Sequence, residues 1–145
     1  MVRSASLYQY AEQQNIDVDW FPLVRADSLS IPLGDEIYGI AIDPKKIKSE
    51  ADETVKLAHE LGHCSTGAFY NRWATCDIRQ KHEQCADKWA IKKLIPVDEL
   101  DEAVAAGHTE LWELADYFGV TEEFMKKAVC WYTHGNLATD LYFWT

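Results

Sequence analysis

Residues 55–64 read VKLAHELGHC and place His59, Glu60 and His63 in the order H-E-x-x-H. On an α-helix, residues four apart share a face, so His59 and His63 can direct two imidazole nitrogens at one metal ion. Glu60, beside the first of them, can reach a water activated by that ion. Two neutral nitrogen ligands, an open position and a carboxylate base are what a zinc hydrolase requires. Leu57, Ala58, Leu61 and Gly62 make the surroundings apolar, which assigns the helix to the core. Two histidines and a glutamate desolvated there need a compensating partner, and a metal ion supplies one. Gly62 costs about 1 kcal/mol of helix stability relative to alanine. Close approach of another backbone, or room for a substrate, would each account for it.

Downstream of this stretch the pattern is helical. Ser49 and Asp52 have capping-box spacing at the helix start, and Gly67 is suited to stop it. After a loop over 67–75, a second long helix is expected from Asp77 to Ile95, ended by Pro96, with Ala86, Trp89, Ala90 and Leu94 as its buried stripe. That helix offers the third ligand a catalytic zinc needs. Glu83 can take the metal, and Asp87, one turn later, can accept a hydrogen bond from the free nitrogen of a liganding histidine and so fix its tautomer. His82 is a rival ligand, but Arg79 and Lys81 beside it point to an outward face. Cys85 lies off the face of Glu83. Three shorter helices follow: Asp98–Ala106 closed by Gly107, Glu110–Phe118 capped by Thr109 and closed by Gly119, and Glu122–His134 capped by Thr121 and closed by Gly135. His108, just past Gly107, reads as a capping or solvent-exposed residue.

Upstream, Ser6–Gln14 has helical periodicity. Ile16–Arg25 begins with apolar alternation at Ile16, Val18 and Trp20 before Pro22. Ser28–Pro32 and Ile37–Ile42 read as two more strands split by the turn residues Leu33–Glu36. A small antiparallel sheet followed by a helical bundle makes the fold class α+β, in one domain spanning 1–145.

The 145 residues carry a formal net charge of -10. Such a surface repels nucleic acid and anionic membranes, so neither is an expected partner. No run of about 18 apolar residues occurs. The opening MVRSASLYQYAEQQ has no apolar core of the kind an export signal carries. A cytoplasmic location is therefore expected, and with it buried, unpaired thiols at Cys64, Cys76, Cys85 and Cys130.

HELGH followed by EQCADKWAIKKLIP (83–96) resembles the ImmA/IrrE metallopeptidase family, whose second motif is E-x-x-A-N-x-F-A-x-x-L-L-x-P. Glu83, Ala86, Trp89, Ala90, Leu94 and Pro96 match, and Asp87 replaces the usual asparagine. The resulting E-x-x-x-D is similar to the third-ligand helix of thermolysin-like gluzincins. DEIYGIAIDPKKI (35–47) and LWELADYFGVTEEFMKKAV (111–129) extend the resemblance from about Asp35 to Ala128. It implies a compact zincin-like domain with Zn2+ on His59, His63 and Glu83, and with Glu60 as general base. It also implies a cytoplasmic regulatory protease acting on a helix-turn-helix transcriptional repressor of a phage or mobile element.

Peptide hydrolysis usually needs a second donor for the oxyanion. The candidates are His134, Tyr132 and Tyr70; His134, at a helix end beside Gly135, is equally suited to cap that end. Trp131, Tyr132 and the tail LYFWT (141–145) are expected to pack in the core or over the cleft. Two other readings stand beside the peptidase. The chain could be a metal-binding regulator that binds its target stoichiometrically without cutting it. Residues 114–129 also have the pattern of a DNA-binding helix-turn-helix, but Glu122 and Glu123 open its second helix and only Lys126 and Lys127 would face phosphates.

Overall fold

The computed structural model describes residues 3–71 and 73–143. The chain runs α1 (Arg3–Gln13), β1 (Ile16–Trp20), β2 (Ser28–Gly34), β3 (Ile37–Ile42), α2 (Glu50–Thr66), α3 (Cys76–Leu94), α4 (Val97–Ala105), α5 (Leu111–Phe118), α6 (Glu122–His134) and α7 (Thr139–Tyr142). Three strands followed by helices form an α+β fold, as the sequence indicates. The short α7 was not anticipated. Of the aromatic tail, residues 144–145 lie outside the described residues.

The sheet has the order β1-β3-β2 and is mixed, which corrects the expected antiparallel arrangement. β2 and β3 form the expected antiparallel hairpin, whereas β1 runs parallel to β3, with Ile16 opposite Tyr38 and Trp20 opposite Ile42. Alternation of apolar residues reports which face of a strand is buried and carries no information on its direction. The direction is set by residues 21–27, which cross the end of β3. The Phe21 amide donates to the Ile42 carbonyl (3.1 Å) and the Asp43 amide to the Asp27 carbonyl (2.9 Å). Lys46 Nζ clasps the same loop by donating to the carbonyls of Leu23 (2.6 Å) and Ala26 (3.0 Å). Asp43 accepts from the Leu23 amide, and Lys56 of α2 pairs with Asp27 at 2.9 Å.

Helix α2 is the centre of the molecule. Ser49 caps its start by accepting from the Asp52 amide (3.1 Å), and Gly67 ends it at a φ of 69°, in the left-handed region that glycine tolerates. Leu57, Ala58 and Leu61 are fully buried in a cluster that also takes in Leu7, Ile40, Ile42, Ile91, Phe118 and Met125. Burying such side chains contributes about 1.5–3 kcal/mol each. A Cβ on Gly62 would stand 2.5 Å from the Ala86 carbonyl oxygen, so this glycine exists because the α3 backbone approaches it. Of the two explanations open from sequence, close backbone approach is the one realised.

Helix α3 starts at Cys76, capped by the Thr75 hydroxyl. The start of α5 departs from expectation by one residue: Glu110, not Thr109, occupies the cap position, with no side-chain hydrogen bond. Thr121 caps α6 as expected. Among the described residues, Cys64 and Cys130 are buried thiols, but Cys76 and Cys85 are exposed, and none of the four is paired. No described helix is long and apolar enough to cross a membrane.

Candidate metal centre

The crossing of α2 and α3 at Gly62 and Ala86 sets the site. His63 follows Gly62 directly, and Glu83 lies about one helical turn before Ala86, so the close backbones bring the two motifs within side-chain reach. The His59 and His63 rings meet edge to face, 4.9 Å between centroids. His59 Nε2 lies 2.7 Å from Glu83 Oε2, and His63 Nε2 lies 3.0 Å from Glu83 Oε1. One donor atom from each of the three residues falls within 4.8 Å of the others.

The opposite nitrogens are held from behind. His59 Nδ1 pairs with Asp87 Oδ1 at 2.7 Å, as the spacing of Glu83 and Asp87 predicts. His63 Nδ1 pairs with the carbonyl of Ala68, just past the Gly67 stop. Each pairing directs the Nε2 atom to the same carboxylate. Two imidazole nitrogens and one carboxylate oxygen suit zinc, so the residues present fit that ion. Electrostatics agree with a cation site. Burial opposes protonation of His59, but hydrogen bonds to Asp87 and Glu83 outweigh it and raise the imidazole to about 10. His63 is raised in the same manner, against burial, by Glu83 and the Ala68 carbonyl. The two imidazoles hold the Glu83 carboxyl far below the usual carboxylate range.

A cavity of about 340 Å³ opens beside these donors. Glu60 lines it and is buried, its Oε2 accepting a hydrogen bond from the Ser28 hydroxyl at 2.7 Å. Ser28, Leu29 and Ser30 of β2, an edge strand, border the same cavity. On the other rim, Phe69 stacks on His63 and Tyr38, and the Tyr70 hydroxyl donates to Glu83 Oε1 at 3.1 Å.

Of the three expected oxyanion donors, only Tyr70 lies at this cavity. His134 does not line it; its ring stacks on Tyr142 with centroids 3.6 Å apart. Tyr132 is committed to the Ile95 carbonyl at 2.7 Å, tying α6 to the end of α3. His82 stacks against Tyr70 and is not among the converging donors. His108 pairs with Glu113 at 3.5 Å. Burial, and then the Glu60 charge, pushes the Cys64 thiol up to about 12, so it stays protonated beside His63. Sequence reasoning missed Ser28 and the Ala68 carbonyl. Ser28 carried no signal beyond its place in a strand. The Ala68 carbonyl could have been anticipated from the Gly67 stop, which turns the chain back over the last helical turn.

Two imidazoles and a carboxylate, with a second carboxylate facing an open cavity, form the donor arrangement of the zinc metallopeptidase class. Within that class, residues 11–129 match the IrrE N-terminal-like domain, the peptidase M78 family, and the chain belongs to that family of zinc peptidases. No curated protein matches the chain.

Proposed function

We propose that this protein is a cytoplasmic zinc endopeptidase that cleaves an extended segment of a protein substrate. The observation that carries the reading is the position of Glu60. Its carboxylate lines the same cavity as the three converging donors, rather than turning to solvent. Zinc held by His59, His63 and Glu83 would supply a Lewis acid that polarises a carbonyl and makes a water more acidic.

The other roles belong to the chain. Asp87 and the Ala68 carbonyl orient the two imidazoles. Ser28 holds one oxygen of Glu60, which steers the carboxylate. Glu60 takes the proton of the attacking water and passes it to the leaving amine, a role worth about 10²–10⁴-fold in rate. Tyr70, in place of His134, is the donor we assign to the developing oxyanion. An extended substrate would add to the β2 edge, with backbone hydrogen bonds giving affinity and the flanking side chains selecting sequence.

We further propose a regulatory target, a helix-turn-helix repressor of a phage or mobile element. This rests on the sequence resemblance, and co-expression with a helix-turn-helix repressor, should a neighbouring gene encode one, tests it. The Glu60→Gln protein is expected to retain zinc and lose turnover of that substrate by at least about 10²-fold. Unchanged biological activity of Glu60→Gln would instead favour the stoichiometric, non-cutting regulator. For DNA binding, α5 and α6 do form helix, turn and helix, but Lys127 pairs with Asp87 and Glu122 and Glu123 open α6.

A further inference from the structure

Asp87 has two oxygens with two different partners. Oδ1 meets His59 Nδ1 at 2.7 Å, and Oδ2 meets Lys127 Nζ at 3.3 Å. The Asp87 side chain is 14% exposed, so its Oδ2 has little water around it and Lys127 is its partner from the chain. Lys127 belongs to α6, which has no residue among the three donors. A second cavity, lined by His59, Glu83, Asp87 and Lys127, lies on this side of the site.

We propose that Lys127 is a positioning residue for the metal centre, acting through Asp87. This rests on the reading that His59, His63 and Glu83 hold zinc. The lysine ammonium occupies one carboxylate oxygen and leaves the other to His59. The plane of the carboxylate is thereby restrained, and with it the direction in which His59 Nε2 points. The residue touches neither the substrate cavity nor a donor atom, so its effect is felt in how well the site is arranged before the ion enters. Partners that orient a metal-bound histidine are typically worth 10–100-fold in affinity. Lys127 stands one step further out and is 36% exposed, where solvent screens the pair. About 3- to 10-fold in zinc affinity is the effect we expect.

Zinc affinity of the metal-free wild type, Lys127→Met, Lys127→Arg, Asp87→Asn and the Asp87→Asn/Lys127→Met double variant is measured by competition with a chromophoric chelator. Lys127→Met is expected to weaken zinc by about 3- to 10-fold, Lys127→Arg to stay within about 2-fold of wild type, and Lys127→Met to add no weakening in the Asp87→Asn background. Wild-type affinity in Lys127→Met overturns the inference. So does equal weakening in both backgrounds, which would mean that Lys127 does not act through Asp87. A wild-type protein that takes up no zinc overturns the metallopeptidase reading, and this inference with it.

Discussion

His59 has an acceptor at each ring nitrogen, Asp87 behind and Glu83 in front. Against burial, those acceptors hold His59 up at about 10, and Glu83 and the Ala68 carbonyl raise His63 in the same direction. The metal-free site therefore favours the positive form of each imidazole opposite Glu83 and Asp87. A divalent ion that takes both Nε2 atoms displaces the hydrogen held there. Zinc uptake near pH 7 is expected to release at least about one proton, measured by calorimetry in buffers of different ionisation enthalpy. Release near zero would contradict a protonated His59. Stability should follow the same groups. His59 titrates at 6.5 when free and about 10 in the metal-free fold, so its contribution is complete below the first value and is lost as pH rises through the second. Glu83 shifts the other way; its contribution persists throughout this window and is lost only on strong acidification. The metal-free protein should need less urea to unfold at about pH 9 than at about pH 7, a slope that zinc removes by occupying both Nε2 atoms.

At the scale of elements, the α2–α3 crossing is the joint on which the site depends. Alanine at Gly62 would gain about 1 kcal/mol in helix propensity. Its Cβ, however, meets backbone at Ala86, which cannot swing aside as a side chain could. Overpacking of that kind costs about 1–3 kcal/mol, which matches or exceeds the gain. Gly62→Ala is expected to destabilise the metal-free protein by up to about 2 kcal/mol in denaturant melts and to weaken zinc by pushing Glu83 from the histidines. Wild-type zinc affinity in this variant would remove the joint from the account. The same joint shows what could be read from the chain alone. His59, Glu60, His63, Glu83 and Asp87 were legible because each pattern is internal to one helix, where a fixed period converts spacing into direction. The packing of one helix on another has no such period. Sequence therefore left Gly62 with two explanations, missed Ser28 behind Glu60, and placed His134 near the chemistry when its ring lies on Tyr142. The strands were found for the same local reason, and the parallel setting of β1 was not, because it is fixed by the loop that joins β1 to β2.

Across the whole molecule, the donors come from two helices whose other faces build the core, with Leu57, Ala58 and Leu61 on α2 and Ala86, Ala90 and Ile91 on α3. An ion bound there is bound only by the folded chain. At about 100-fold excess over its dissociation constant it should add about 2.7 kcal/mol. In a protein of this size that corresponds to a rise of roughly 5–10 °C in the melting midpoint, reversed by a chelator. A melt that zinc leaves in place would count against the centre itself. The loop over residues 21–27 has a bearing on binding as well. Lys46, Asp43 and Lys56 fasten it at both its backbone and its end, and it delivers the chain into Ser28 of the β2 edge. Fixing a residue's backbone costs about 1–2 kcal/mol in entropy, and for this edge that cost is met when the protein folds. A peptide added to this edge, as proposed, would have only its own disorder to lose, with no loop to be ordered around it.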